Sequence, residues 1–249
     1  MTLTGTRRGA GPPLVLLHTL GTDHRMWDPV LDRLASERDV LALDLPGHGG
    51  SPPLDPASPA DLAAAVAAFL AERGIERAHV AGNSLGGWVA LEMALAGAAA
   101  SVTAIAPAGL WPEPLVPRRR SIRAVARAVL PVAGPLLRSR RARRLVLAAN
   151  AAHPERIPPA AARGLVRAYA TAPGFDAVNA AMRAGRFTGL ARITVPITLA
   201  WPDHDRLVAR PRAVPPTVRT VVLHGCGHLP TWDDPPQVAQ ALLRGSDPP

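Results

Sequence analysis

Residues 79–91, His-Val-Ala-Gly-Asn-Ser-Leu-Gly-Gly-Trp-Val-Ala-Leu, constrain this chain more than any other stretch. An apolar run, Ala78 to Ala81, meets Gly82-Asn83-Ser84-Leu85-Gly86 and continues in a helix-like pattern. G-x-S-x-G between a strand and a helix is the form of a nucleophile elbow. The chemistry requires that spacing. Ser84 has to sit at the tip of a turn so tight that its backbone is strained. Glycines two residues to either side remove the Cβ atoms that would collide across the turn. The helix behind it aims its first N–H groups at the reacting centre, which makes the Leu85 N–H a candidate oxyanion donor.

The rest of the chain supplies the rhythm such an elbow needs. Leu14–His18 and Ser101–Ala106 are short apolar runs of the kind buried parallel strands show, and Asp39–Leu43, Pro196–Ala200 and Val218–Leu223 read as further strands in the same rhythm. Helical spacing fills the intervals at Met26–Leu34, at Leu62–Glu72 with Asp61 as its candidate cap, and at Pro235–Leu243. Alternation of this sort predicts a parallel sheet with helices on both faces, an α/β fold. It is interrupted once. From Leu110 to Arg192 the sequence is rich in Ala, Arg and Pro, and its clearest helix is Ser121–Leu130. There Ile122, Val125 and Val129 share one face and Arg123 and Arg127 another, an amphipathic pattern. Residues 1–109 and 193–249 therefore read as one core, and 110–192 as an insertion.

A serine nucleophile needs a base, and the base needs an orienting acid. In this architecture the expected order is Ser, then Asp or Glu, then His, each on a loop after a later strand. Asp203 and Asp205 follow the strand ending at Trp201, and Asp205 lies far enough along its loop to turn back. The preceding core strand ends Ala106-Pro107-Ala108-Gly109 and offers no carboxylate. His228, in a Gly-Cys-Gly-His loop after the last strand, is the candidate base, with His224 the alternative. The second oxyanion donor is expected from His18-Thr19-Leu20-Gly21, at the Leu20 N–H, because Gly21 lets that loop fold over the site. His18 itself reads as a structural hydrogen-bonding group.

Together, the His18–Gly21 loop, Asp44–Ser51, Gly82–Gly86, Asp205 and Gly227-His228 resemble the α/β-hydrolase superfamily over nearly the whole chain. The resemblance implies a mostly parallel, doubly wound sheet with 110–192 as a helical cap over the active site. It also implies an acyl-enzyme mechanism on a small ester or lactone, with no cofactor and no metal. Residues His18 to Trp27 look like the corresponding loop of 3-oxoadipate enol-lactonases, and Thr19 stands where the superfamily commonly has Gly. Leu85 departs from the Met usual after the enol-lactonase nucleophile. Cap residues select substrate in such proteins, so Trp111, at the cap entrance, is a candidate substrate contact beside Thr19 of the first loop, whereas Trp88 reads as core. Carbon–carbon bond hydrolases and non-catalytic binding proteins of the same fold are the alternatives.

Charge narrows the partners. The 249 residues carry a net charge of +9, and every basic residue is Arg. Fifteen of the 28 arginines lie in 111–190, against only Glu113, Glu155 and Asp176. A carboxylate-bearing substrate beneath the cap would suit them. The runs Arg118–Arg120 and Arg138–Arg144 read more simply as the solvated side of cap helices. With 4% aromatic residues and no recognition motif, nucleic acid is not an expected partner. No stretch approaches the ~18 apolar residues of a membrane span, so no stable membrane association is expected. Arg7-Arg8 with Leu14–Leu17 is too short for an export signal, and Cys226 is the only cysteine. A cytoplasmic location is expected.

Overall fold

The computed structural model describes residues 1–115 and 123–247. The chain begins β1 (Gly5–Arg8), β2 (Pro13–Leu17), α1 (Asp28–Ala35), β3 (Asp39–Leu43), α2 (Pro59–Ala71), β4 (Ala78–Asn83), α3 (Leu85–Leu95) and β5 (Ala99–Ile105). Helices alone follow among the described residues: α4 (Arg123–Val129), α5 (Ala133–Leu136), α6 (Arg140–Val146), α7 (Pro159–Thr171) and α8 (Phe175–Ala184). The alternation resumes with β6 (Ile197–Pro202), β7 (Arg219–Leu223), α9 (Pro230–Asp233) and α10 (Pro235–Gly245).

Seven strands form one sheet in the order β1-β3-β2-β4-β5-β6-β7, with β1 antiparallel to β3 and every other pair parallel. β3 lies on one side of β2 and β4 on the other, so the direction of winding reverses between β2 and β4. At such a switch point the loops leaving the two strands diverge and open a crevice at their carboxyl ends. The 18–22 loop and the Ser84 elbow are those two loops. Beneath them, β2, β3 and β4 are buried almost throughout, as a sheet covered on both faces requires.

Two helices differ from the sequence expectation in instructive ways. Ser58, not Asp61, caps α2: its side chain accepts from the Asp61 N–H, and the Asp61 carboxylate accepts from the Ser58 N–H. Pro59 at the first helical position has no N–H to satisfy and begins the helix early, leaving Asp61 as the third residue of a capping box. The larger surprise is α4, where burial does not follow the amphipathic pattern. Arg123 is buried, while Val125 and Val129 are exposed; Ser121 and Ile122 lie outside the described residues. The Arg123 guanidinium donates to the Tyr169 and Ala172 carbonyls at 3.0 and 2.7 Å and pairs with Asp176 at 2.6 Å. It thus satisfies carbonyls freed at the end of α7, where a cation is favoured, and ties α7 to α8. Arg143, within a run expected to be solvated, is likewise buried and donates to the Leu137, Arg138 and Glu155 carbonyls. The segment also has its own apolar cluster around Leu137, Leu147, Ile157 and Val166, distinct from the main core.

Candidate active site

β4 ends in the elbow. Ser84 has φ 55° and ψ −112°, a strained conformation for a residue with a side chain. Neighbours hold it there. The Ser84 N–H donates to the Ile105 carbonyl at 2.8 Å, and the Ser84 carbonyl accepts from both Trp88 and Ala108. A Cβ on Gly82 would collide with the Gly86 carbonyl, and one on Gly86 with the Leu17 carbonyl. Both glycines are therefore required by close backbone approach. The Ser84 hydroxyl makes no capping bond to α3, so it is left for another partner. Asn83 anchors to the Ile105 carbonyl through its amide nitrogen, and its buried Oδ1 has no partner among the described residues.

The loop after β2 meets the elbow from the other side of the crevice. His18 accepts from the Leu45 N–H through Nε2 at 2.9 Å and donates through Nδ1 to the Thr19 carbonyl at 2.8 Å. Both ring nitrogens are thereby engaged, and full burial pushes its pKa down, keeping the ring neutral. The Thr19 carbonyl also accepts from the Thr22 backbone and hydroxyl. Gly21 turns the loop at φ 75°, and a Cβ there would strike Tyr169 and Phe175. Thr19 is buried and Leu20 half-buried against the core.

Asp205 and His228 come together beyond β6 and β7. His228 Nδ1 lies 2.8 Å from Asp205 Oδ2, and both side chains are buried. The other Asp205 oxygen accepts from the Leu207 and Val208 N–H groups at 2.7 and 3.1 Å, which fixes the carboxylate plane. Burial would raise the Asp205 pKa, but the His228 contact and the two N–H bonds outweigh it and hold it below the usual value. Asp203 instead faces His224 at 3.3 Å on the surface. Between the two histidines, burial beside three carboxylates pushes the Cys226 thiol up to about 12, leaving it protonated and unreactive at neutral pH.

One residue that matters here carries no sequence signal. The Asp233 carboxylate accepts from the Gly227 N–H at 2.8 Å, and from Ala152 and His153 at 2.9 and 2.8 Å. It pins the His228 loop to the chain leaving α6. The helical segment touches the other loops as well. Gly174 donates to the Gly47 carbonyl at 2.9 Å, and Tyr169 and Phe175 lie over Gly21. Trp111 donates through Nε1 to the Gly185 carbonyl and packs edge-on against Trp88, with 5.8 Å between ring centroids. Its ring, not its N–H, is what it can offer a ligand.

Asp23, His24 and Asp44 bring three possible metal-ligand atoms within 4.8 Å of one another. Those atoms already have partners. Asp44 accepts from Thr4, Gly50 and both the backbone and ring of His24, and Asp23 accepts from Arg25. The cluster therefore reads as a structural brace for the Asp44–Ser51 turn.

Comparison with known proteins gives a consistent picture. Residues 14–241 match the model of the alpha/beta hydrolase family. The dihydrolipoyllysine-residue acetyltransferase component of the acetoin cleaving system of Cupriavidus necator is 48% identical over 91 residues, 36% of this chain. This chain spans about a quarter of that protein's length, 24%. Epoxide hydrolase EphH of Mycobacterium tuberculosis is 33% identical over 200 residues, covering 74% of this chain and 93% of that protein. 3-Oxoadipate enol-lactonase 1 of Acinetobacter baylyi is 37% identical over 105 residues, 41% of this chain and 40% of that protein.

Proposed function

The chain belongs to the alpha/beta hydrolase family, and on that premise we propose that it is a serine hydrolase of small carboxylic esters or lactones. The observation that carries this reading is the buried His228–Asp205 pair, arriving in chain order after a serine held in a strained elbow. Its chemistry follows directly. Ser84 Oγ attacks the acyl carbon while its proton passes to His228 Nε2. The carbonyl oxygen becomes an oxyanion, held by the N–H groups of Leu85 and Leu20. Collapse breaks the acyl–oxygen bond, and the leaving alkoxide takes the proton back from His228. Water then attacks the acyl-enzyme as His228 accepts its proton, and collapse expels Ser84 Oγ, which takes that proton back from His228 as the acid leaves. Asp205 keeps the imidazole in the useful tautomer and stabilises its cation.

Serine at the tip separates this reading from the epoxide chemistry in one relative's name. Opening an epoxide with a serine oxygen leaves an alkyl ether, which water does not cleave. Opening an ester leaves an acyl ester, which it does. Within the ester class, the His18–Trp27 loop and the enol-lactonase relative favour a lactone, with 110–192 as the cap that selects it and Thr19 and the Trp111 ring at its margin. A lone buried thiol suits a reducing compartment, and we place the enzyme in the cytoplasm. Among the described residues, no helix is long and apolar enough to cross a membrane.

The test is an activity panel of aryl esters, enol-lactones, meta-cleavage diketones and epoxides, with Ser84→Ala as the blank. Hydrolysis of esters or lactones that is lost in the variant supports the proposal. Turnover confined to diketones would identify a carbon–carbon bond hydrolase. Wild-type inactivity across the panel would point to a binding protein.

A further inference from the structure

From α4 to α5 the chain is almost continuously helical, the two helices being joined by a 3₁₀ turn, Leu130–Val132. Its surface is the reverse of a solvated helix. Val125, Val129, Val132 and Leu136 fall at i, i+4, i+7 and i+11, one stripe, and all four are exposed. Apart from Arg127, every exposed residue from 124 to 136 is apolar. In α6 the pattern repeats with Leu145, 80% exposed, and Val146. Six of the nine large apolar side chains exposed among the described residues thus lie between 125 and 146. Elsewhere among the described residues only Met1, Leu207 and Val222 are large, apolar and exposed, so this concentration marks a surface that meets something.

Charge says what. No acidic residue occurs between Glu113 and Glu155, and Arg138, Arg140, Arg141 and Arg144 are exposed beside the apolar stripe. A second copy of the chain meeting this face about a two-fold axis would set arginine against arginine. A nucleic acid would use the arginines but leave the valines and leucines in water, and aromatic rings for base stacking are missing from 123–147. An anionic bilayer satisfies both parts. Lipid phosphates take the guanidinium groups, and the headgroup–acyl boundary takes the apolar stripe.

We infer that the α4–α6 face of the cap docks on anionic lipid surfaces. Docking of this kind is peripheral and reversible: it needs no spanning helix and weakens with salt. It also stands apart from the catalytic proposal, since none of these residues belongs to the Ser84 site.

Sedimentation of the full chain with vesicles tests it, comparing phosphatidylcholine alone with a 3:1 mixture of phosphatidylcholine and phosphatidylglycerol. Expected is binding to the mixed vesicles only, at least tenfold weaker when NaCl rises from 0.1 to 0.5 M. The triple variant Val125→Ser/Val132→Ser/Leu136→Ser and the triple variant Arg138→Gln/Arg140→Gln/Arg141→Gln should each lose it at least tenfold. Unchanged melting temperatures would show that both variants are folded. Equal binding to both vesicle types, or no binding to either, overturns the inference. So does undiminished binding by the serine variant, a dimer in solution that this variant dissolves, or duplex DNA binding that depends on the arginines alone.

Discussion

Two Asp–His pairs lie side by side on the loops after β6 and β7, and only their surroundings distinguish them. Asp205 and His228 meet at 2.8 Å with each side chain 4% exposed, whereas Asp203 and His224 meet at 3.3 Å with 35% and 79% exposed. Residue types and chain order are the same in both. In the first pair, the Leu207 and Val208 N–H groups fix the carboxylate, Asp233 fixes the loop, and water is excluded. The second sits in solvent, where screening and side-chain freedom leave such a contact worth little, about 0–1 kcal/mol. A base that must accept a proton at one nitrogen needs the other held in one orientation. Burial, more than composition, makes one pair a candidate machine and the other an ornament of the surface.

That contrast can be broken by substitution. The largest effect expected is for His228→Ala, a loss in kcat of about 10⁴-fold or more, because removing the base disables the nucleophile. His224→Ala, measured beside it, should change kcat less than about twofold, as expected of a surface pair. Asp205→Asn should cost about 10³- to 10⁴-fold through the wrong imidazole tautomer, whereas Asp203→Asn should leave kcat nearly unchanged. Equal losses in the two Asn variants would dissolve the distinction. Asp233→Ala should come next, with kcat down by roughly 10- to 100-fold from a displaced His228 loop, since a shift of about 1 Å suffices for that.

The smallest effect separates the pairs by pH. Asp205 has a folded pKa below its unfolded value, so at mildly acidic pH the unfolded chain binds the extra proton. Its stabilising contribution is therefore complete above the ordinary carboxylate range and is lost as pH falls through the folded value. Urea unfolding between pH 3 and pH 7 should show a shallower acid-side decline for Asp205→Asn than for wild type. Asp203 is also lowered, but its exposure to solvent screens the contribution, so Asp203→Asn should keep the wild-type slope.

Much of the core was legible because both faces of the sheet are covered, so central strands read as uninterrupted apolar runs such as Leu14–Leu17 and Val40–Leu43. The Ser84 elbow was legible because backbone collision dictates glycines at fixed offsets. β1 was not: it is a largely exposed edge strand, Gly-Thr-Arg-Arg, whose pairing with β3 leaves no apolar signature. Asp233 was invisible for a different reason, since two of its three partners, Ala152 and His153, lie about 80 residues away. The helices between β5 and β6 misled outright. Periodicity reports which residues share a helix face, and hydrophobicity was expected to say which face is buried. In α4 the free carbonyls at the end of α7 drew Arg123 inward and left Val125 and Val129 outside.

The central claim is that Ser84 becomes acylated with His228 as its base. Labelling with a p-nitrophenyl phosphate triester, followed by peptide mass spectrometry, tests it most directly. One adduct per chain on Ser84, formed in step with loss of esterase activity and slowed at least about 10³-fold in His228→Ala, is the predicted result. An adduct on another residue, or full inactivation with Ser84 unmodified, would contradict it.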